Sequence, residues 1–184
     1  MFRALNLILI SLISLNTTAQ NSIIERVNNY LDRKNVFTDE VIHVSIKQQK
    51  LYHIQHDSII KEYVISSSEY GIGSASGSNK TPIGLHRIRE KYGEKTPING
   101  RMTGRVFYGN IATIYTDQTK SKTDDVTSRI IWLEGLEKGK NKGEGIDSFK
   151  RYIYIHGTSE EGRLGKPASH GCIRMKNKEV IDLY

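Results

Sequence analysis

The sequence predicts a mainly β fold, an antiparallel sandwich or barrel-like sheet with minor helices. The first observation is a run of alternating apolar and polar residues, VIHVSIKQQKLYHIQHDSIIKEYVISSS, which two short polar turns interrupt. The second is a pair of strongly β-prone segments further along, SRIIWLEGL and RYIYIHGT. The chain has 184 residues, which is enough for one domain with its own core.

The amino terminus, MFRALNLILISLISLNTTAQ, predicts a signal peptide over residues 1–19. Arg3 provides a basic start, an apolar run follows, and Thr17 and Ala19 form the small-x-small pattern of a cleavage site. The run is too short and too polar for a membrane span, and an uncleaved amphipathic anchor is the alternative. We therefore expect a mature chain that begins at Gln20, has no transmembrane span, and works in the periplasm or cell envelope.

Residues 20–38 are predicted as a leading helix and linker, and residues 39–184 as the folded domain. The segment SIIERVNNYLDRKN carries apolar residues at helical spacing, and Asn35 is a plausible stop. The alternating run that follows predicts three strands with turns at residues 48–50 and 56–58. A glycine- and serine-rich loop then ends at Pro82.

The second half of the chain predicts further short strands. They are LHRIRE, two β-prone pieces within GRVFYG and IATIYT, the strong strand SRIIWLEGL, and RYIYIHGT, which we expect to be buried and to end at His156. EKGKNKGEG is predicted to be a solvated loop without packing potential. The final segment, KNKEVIDLY, has a helical pattern.

Composition narrows the function only slightly. The formal charge is +7, from 27 basic and 20 acidic residues. A basic surface suits anionic polymers such as cell wall or nucleic acid. No nucleic-acid-binding motif accompanies the charge, and an exported protein is an improbable nucleic-acid partner.

The single cysteine, Cys172, lies in the stretch SHGCIRM. Exported proteins use cysteines mostly in disulfide pairs, so a lone one is buried and inert, bridges two molecules, or is a reactive thiol. Its neighbours Ser169, His170 and Gly171 are poor core residues, which favours reactivity. Nearby imidazoles and Arg174 would stabilise the thiolate, so we expect a thiol pKa below the ordinary value of about 8.5.

A thiol nucleophile needs a base and oxyanion donors. His156 at a strand end could supply the base, and a loop of this size could bring Cys172 beside it. His170 is close enough in sequence to compete for that role. Gly171 would let the backbone approach a substrate carbonyl, and the N–H groups around Gly171 and Cys172 could form the oxyanion hole.

The two-part signature, IHGT and then SHGCIRM, resembles the active-site signature of the L,D-transpeptidase catalytic domain family, which is also called YkuD-like. The loop ending in Thr81, Pro82 and Gly84 and the hairpin IHVSIKQQKLYHI also resemble that family. The likeness covers roughly residues 41–184. Family domains usually continue past the helix after the cysteine, whereas this sequence stops at Tyr184, which leaves open a naturally short domain or a fragment.

This resemblance implies an L,D-transpeptidase-like β-sandwich and cysteine acyl transfer on peptidoglycan stem peptides without a cofactor. Cys172 would be the nucleophile and His156 the base. Ser169, His170 and Gly171 would support the oxyanion, and the residues predicted to bind substrate are Arg174, Gly157 and Thr158. In the family, the thiolate attacks the third residue of a tetrapeptide stem, D-Ala leaves, and an acceptor amine resolves the thioester.

Several alternatives stay open at this point. The same scaffold could act as a hydrolase, either an L,D-carboxypeptidase or an amidase that frees a wall-linked protein, with water as the acceptor. Arg174 could brace the loop instead of binding a substrate carboxylate. A zinc site formed by His156, His170 and Cys172 is a third possibility, but no accompanying metal motif supports it, and we predict no metal.

Overall fold

A computed structural model describes residues 20–184. The predicted signal peptide, residues 1–19, lies outside the described residues. The predicted fold class, mainly β with minor helices, is confirmed. No helix in the described part of the chain is both long enough and apolar enough to cross a membrane.

The described chain divides into two compact units, and the first comprises residues 20–44 together with Leu51–Glu62. It contains helix α1, described over residues 20–32, and the strands β1 (Glu40–Ser45), β2 (Lys50–Gln55) and the start of β3 (Ser58–Ser66). The helix buries one face at a spacing of four residues, through Ile23, Val27 and Leu31. These strands and turns lie where the alternating pattern predicted them.

The second unit comprises Ser45–Lys50 and Tyr63–Tyr184. Its sheet runs in the order β3-β9-β8-β7-β5-β6, and β4 also pairs with β7. The strands, a short 3-10 helix and the last helix are β4 (His86–Tyr92), β5 (Gly100–Thr103), β6 (Val106–Ile111), β7 (Val126–Gly135), β8 (Tyr154–Thr158), η1 (Glu161–Arg163), β9 (Ile173–Met175) and α2 (Asn177–Leu183).

Strand β7 lies at the centre of this unit. It pairs with β8 along one edge and with β4 and β5 along the other. Its consecutive residues Ile130, Ile131 and Trp132 are all buried, so both of its faces are covered. Burial on both faces explains why this segment reads as a continuous apolar run. The predicted piece IATIYT differs, since β6 ends at Ile111 and no strand follows directly.

The carboxyl-terminal strands depart from the expected antiparallel arrangement. β8 and β9 are parallel, with Ile155 opposite Ile173 and His156 opposite Arg174. A parallel neighbour requires the chain to cross back over the sheet, and the connection between the two strands makes this crossing. β8 also continues to Thr158, so His156 lies within the strand and not at its end as predicted.

The loop EKGKNKGEG is packed, contrary to the expectation of a solvated loop without packing potential. Its Asn141 is fully buried and donates hydrogen bonds from Nδ2 to the carbonyl oxygens of Ile83, at 3.1 Å, and Leu85, at 2.9 Å. The Asn141 Oδ1 atom accepts from the Glu137 N–H at 2.8 Å. The hydrogen bonds of one amide side chain thus hold this loop in place, although the loop has few apolar residues to pack.

Candidate active site

Cys172 lies directly before β9 and is half-buried. Its S–H donates to the carbonyl oxygen of Tyr152, and the N–H of Tyr154 donates to Sγ, both at 3.4 Å. The side chain also packs against a cluster that includes Trp132 and Tyr154. The sulfur is therefore held at a defined place on the sheet by one acceptor, one donor and aromatic contact.

This environment favours the neutral thiol. Burial raises the pKa of Cys172 to about 11, with a smaller opposing effect from the Tyr154 N–H, Arg174 and Arg151. The expectation of a lowered thiol pKa was wrong. The positive charges that the sequence suggested are nearby, but desolvation against the aromatic cluster outweighs them.

His156 is buried in the middle of β8, with 3% of its surface exposed. Its Nδ1 lies 2.7 Å from the carbonyl oxygen of Gly157, which can only accept a hydrogen bond. The proton of the neutral ring therefore belongs on Nδ1, and Nε2 carries the lone pair. Burial lowers the pKa of His156 and keeps the imidazole neutral.

Cys172 and His156 face the same side of the sheet. On β7 and β8, Ile130 is opposite His156 and Trp132 is opposite Tyr154, so these alternate residues share a face. Cys172 packs against the cluster that Ile130, Trp132 and Tyr154 form. Within residues 20–184 no hydrogen bond joins the sulfur to the imidazole, and such catalytic contacts commonly tighten only when substrate is bound.

The backbone around the cysteine is fixed by short polar contacts. Ser169 Oγ donates to the Cys172 carbonyl at 2.6 Å and accepts from the Gly171 N–H at 3.2 Å. Thr81 Oγ1 donates to the Gly171 carbonyl at 3.0 Å. Among the described residues the Cys172 N–H has no acceptor, so it is the better candidate for an oxyanion donor than the engaged Gly171 N–H.

His170 contacts acidic side chains, and no hydrogen bond to the sulfur is found for it within residues 20–184. Its Nδ1 lies 2.7 Å from Asp124 Oδ2, and its Nε2 lies 3.8 Å from a carboxylate oxygen of Glu69. The ring is also 5.9 Å from that of Tyr70. This placement favours His156 over His170 as the base.

Arg174 is buried, with 1% of its surface exposed. Its guanidinium lies between two carboxylates, at 2.5 Å from Asp124 Oδ1 and 2.8 Å from Glu160 Oε2. The second carboxylate also contacts Arg163 at 2.7 Å. This geometry is that of the bracing arginine that the sequence left as an alternative, and its burial leaves almost no guanidinium surface for a substrate carboxylate.

The other two residues predicted to bind substrate are also enclosed. Thr158 is fully buried, and a Cβ atom on Gly157 would come within 2.7 Å of both Asn177 Oδ1 and the Thr127 carbonyl. Contact of Gly157 or Thr158 with substrate stays a prediction, and their burial does not favour it. Their surroundings fit residues that position the adjacent His156 better.

Several residues of the site carry no signal in the sequence. Asp124 lies in the polar loop directly before β7, far from the cysteine motif in sequence, and it contacts both His170 and Arg174. Tyr152 supplies the acceptor for the thiol through its backbone, at a positive φ of 57° that is rare for an aromatic residue. Such strained positions cluster at functional sites.

An aromatic surface extends from the sulfur. Trp132 stacks on Phe149 with ring centroids 3.9 Å apart and lies 5.6 Å from the ring of Tyr152, which is 55% exposed. The guanidinium of Arg105 lies 4.6 Å from the Trp132 ring centroid and donates to the Tyr154 hydroxyl at 3.2 Å. Among residues 20–184 no three His, Cys, Asp or Glu side chains are grouped to hold a metal ion.

Comparison with known proteins places residues 39–184 within a match to the family model YkuD, the L,D-transpeptidase catalytic domain. Two relatives from Bacillus subtilis (strain 168), YkuD and YqjB, both named as L,D-transpeptidases, are each 53% identical over 34 residues. Each match covers 18% of this chain, and the two cover 21% and 19% of those proteins. The chain thus aligns with about a fifth of each relative's length.

Among solved structures, an L,D-transpeptidase from Xylanimonas cellulosilytica DSM 15894 is similar over 80% of this chain and 54% of that one, with a TM-score of 0.45 and 17% identity. The L,D-transpeptidase LdtMt1 in complex with imipenem is similar over 77% of this chain and 51% of that one, with a TM-score of 0.42 and 13% identity.

Proposed function

The chain belongs to the family of L,D-transpeptidase catalytic domains, and from this premise we propose that it is a peptidoglycan L,D-transpeptidase that works by cysteine acyl transfer. Cys172 is the nucleophile and His156 the base. The donor is a tetrapeptide stem, and the acceptor is the amine of a neighbouring stem. The residues supply this chemistry without a cofactor.

One observation carries the proposal: Cys172 and the unprotonated Nε2 of His156 belong to the same face of the β8–β9 pair. A neutral thiol cannot attack an amide, so it must lose its proton as the bond forms. The thiol pKa is raised and the imidazole pKa lowered, so the resting pair is neutral. Proton transfer therefore accompanies attack and does not precede it.

In the acylation step, the sulfur bonds to the carbonyl carbon of the third stem residue, and the thiol proton moves to His156 Nε2. The Cys172 N–H donates to the developing oxyanion. The carbon–nitrogen bond then breaks, His156 returns the proton to the departing nitrogen, and D-Ala leaves. A thioester to Cys172 remains.

In the second step, the acceptor amine attacks the thioester carbon and gives a proton to His156 Nε2. The carbon–sulfur bond breaks, and the proton returns to the sulfur. The products are a cross-linked stem pair and the free thiol. Water in place of the amine would give a shortened stem, which is the hydrolase alternative.

The substrate of this reaction lies outside the cytoplasmic membrane. A signal peptide at residues 1–19, as the sequence predicts, would deliver the enzyme there. We propose the periplasm or cell envelope as its location and stem peptides as its partners.

The test is incubation of the mature protein with purified disaccharide-tetrapeptide, followed by mass spectrometry. Cross-linked dimer with release of D-Ala is the expected result, and a matched Cys172→Ala protein should give neither. Release of D-Ala without dimer would identify water as the acceptor. No change with a folded wild-type protein would overturn the proposal.

A further inference from the structure

Arg151 lies at the edge of the candidate site, directly before the residue whose carbonyl accepts from the thiol. It is half-buried. Its Nη2 donates to the Lys80 carbonyl at 2.8 Å, and its Nη1 donates to the Gly73 carbonyl at 3.3 Å. The side chain therefore spans from the chain beside Cys172 to the glycine- and serine-rich loop.

The guanidinium of Arg151 has no carboxylate partner among residues 20–184, in contrast to Arg174, which has two. A guanidinium has five N–H donors, and the two carbonyl contacts leave others free for a ligand. Burial lowers the pKa of Arg151, so its charge is poorly solvated. A cation in this state gains most from an anion that binds beside it.

One shared contact and one electrostatic effect indicate that Arg151 is near Cys172. The Lys80 carbonyl that it holds would lie 3.4 Å from a Cβ atom on Gly171, the residue before Cys172. Arg151 and Cys172 also act on each other electrostatically, since each charge favours the other. The guanidinium and the sulfur are therefore neighbours at the edge of the site.

We propose that Arg151 binds the terminal carboxylate of the residue that leaves during acylation, an inference that rests on the proposed function. In a tetrapeptide donor this carboxylate is three bonds from the attacked carbonyl carbon, through the departing nitrogen and its Cα. An anion that close to the reacting carbon needs a cation beside the sulfur. Arg151 is the candidate for that cation, because its contacts hold it near Cys172 and a guanidinium can bind a carboxylate with two parallel hydrogen bonds.

This assignment gives the site a rule for choosing donors. A stem whose scissile bond is its last one presents a carboxylate to Arg151. A stem extended by another residue, or one capped as an amide, presents a neutral group there. The partly buried guanidinium would then stay unpaired, which costs affinity for the wrong donor.

The experiment compares two synthetic tetrapeptides, one ending in a carboxylate and one in a carboxamide, and measures D-Ala or D-alaninamide release by mass spectrometry. We expect wild type to favour the carboxylate by about 10- to 100-fold in kcat/KM. Arg151→Gln should reduce this preference to within about threefold, because the rate on the carboxylate peptide falls much more than the rate on the amide, and Arg151→Lys should restore part of it.

Lys80→Gln is the matched control, because Lys80 is an exposed cation on the same loop. It should leave the preference unchanged. An equal fall in kcat/KM on both peptides in Arg151→Gln would show that Arg151 only braces the loop. Loss of the carboxylate preference in Lys80→Gln would show that the preference comes from the general positive charge of this region. Either result overturns the inference about Arg151, and turnover by the wild-type protein would still support the proposed function. If the wild-type protein were inactive on both peptides, the inference and the proposed function would both be overturned.

Discussion

Cys172 and His156 project from the same face of the parallel β8–β9 pair, because His156 is opposite Arg174 and Cys172 precedes Arg174 by two positions. The pairing makes the proposed nucleophile and the proposed base diagonal neighbours on a rigid sheet. Hydrogen bonds fix each of them separately: the Tyr152 carbonyl and the Tyr154 N–H hold the sulfur, and the Gly157 carbonyl holds the imidazole. The two groups are positioned before any substrate arrives.

The first prediction ranks the two histidines. His156→Gln should remove almost all acylation, because no other base faces the sulfur from the same strand pair. His170→Gln should retain most of it, since His170 contacts Asp124 and not Cys172. A carbapenem is expected to mimic the acyl donor of this family, so its attachment to the protein, followed by intact-protein mass spectrometry, would report the acylation step. If His170→Gln were the more damaging change, the base would be misassigned.

The sequence singled out Cys172 and His156 as candidates, and the structure brings them to one face of the sheet, but their protonation states could not be predicted from the sequence. Cys172 and His156 stand in a specific two-part motif, and the alternating pattern located the strands around them. The thiol pKa depends on burial against a cluster that includes Trp132 and Tyr154, which are distant from Cys172 in sequence and come beside it only through the fold. The residues next to Cys172 in sequence therefore predicted a pKa shift in the wrong direction.

The parallel pairing of β8 and β9 and the role of Arg174 could not be predicted for the same reason, since both depend on residues that are distant in sequence. Period-two patterning places a residue on a face but does not select its partner strand. A buried arginine cannot be distinguished from a substrate-binding one until its carboxylates are known. Those of Asp124 and Glu160 come from two separate loops.

The second prediction concerns this buried ion cluster. Arg174→Met would leave Asp124 and Glu160 without their shared cation, and we expect a loss of about 3–5 kcal/mol in the free energy of unfolding. Urea denaturation followed by circular dichroism measures it. Lys120→Met is the control, because its pair with Glu69 is exposed and should contribute less than about 1 kcal/mol. Similar losses in both variants would contradict the bracing role.

The third prediction concerns the turn before the nucleophile. Gly171 has a φ of 126°, which side chains with a Cβ rarely adopt, and an added Cβ would lie 3.4 Å from the Lys80 carbonyl. Gly171→Ala should therefore cost about 1–3 kcal/mol in stability and slow acylation, because the strain moves the Cys172 backbone.

Gly77→Ala is the matched control for this substitution, since Gly77 also has a positive φ, 73°, but no atom lies within 4 Å of its added Cβ. Denaturant unfolding and carbapenem acylation are measured on both variants. Gly77→Ala should be slightly less stable and acylate at the wild-type rate. An unchanged acylation rate in Gly171→Ala would show that the turn is not needed to position the thiol.

The last prediction concerns the ionisation of Cys172. Burial against the aromatic cluster raises the thiol pKa to about 11, so the folded protein should hold a neutral thiol at pH 7 to 9. Iodoacetamide reacts with the thiolate, and its rate with native protein should be lower than with urea-denatured protein throughout this range. The native rate should climb as pH approaches 11, whereas the denatured rate should level off near the ordinary thiol value.

Phe149→Ala tests whether burial is the cause of the raised thiol pKa. Phe149 stacks on Trp132, and its removal opens the cluster to water while leaving every hydrogen bond to the sulfur in place. The desolvation penalty should fall, the thiol pKa should move down toward its ordinary value, and alkylation at pH 8 should accelerate. A native pKa at or below that of the denatured chain would mean that the positive charges of Arg151 and Arg174 outweigh burial, and that the resting site holds a thiolate.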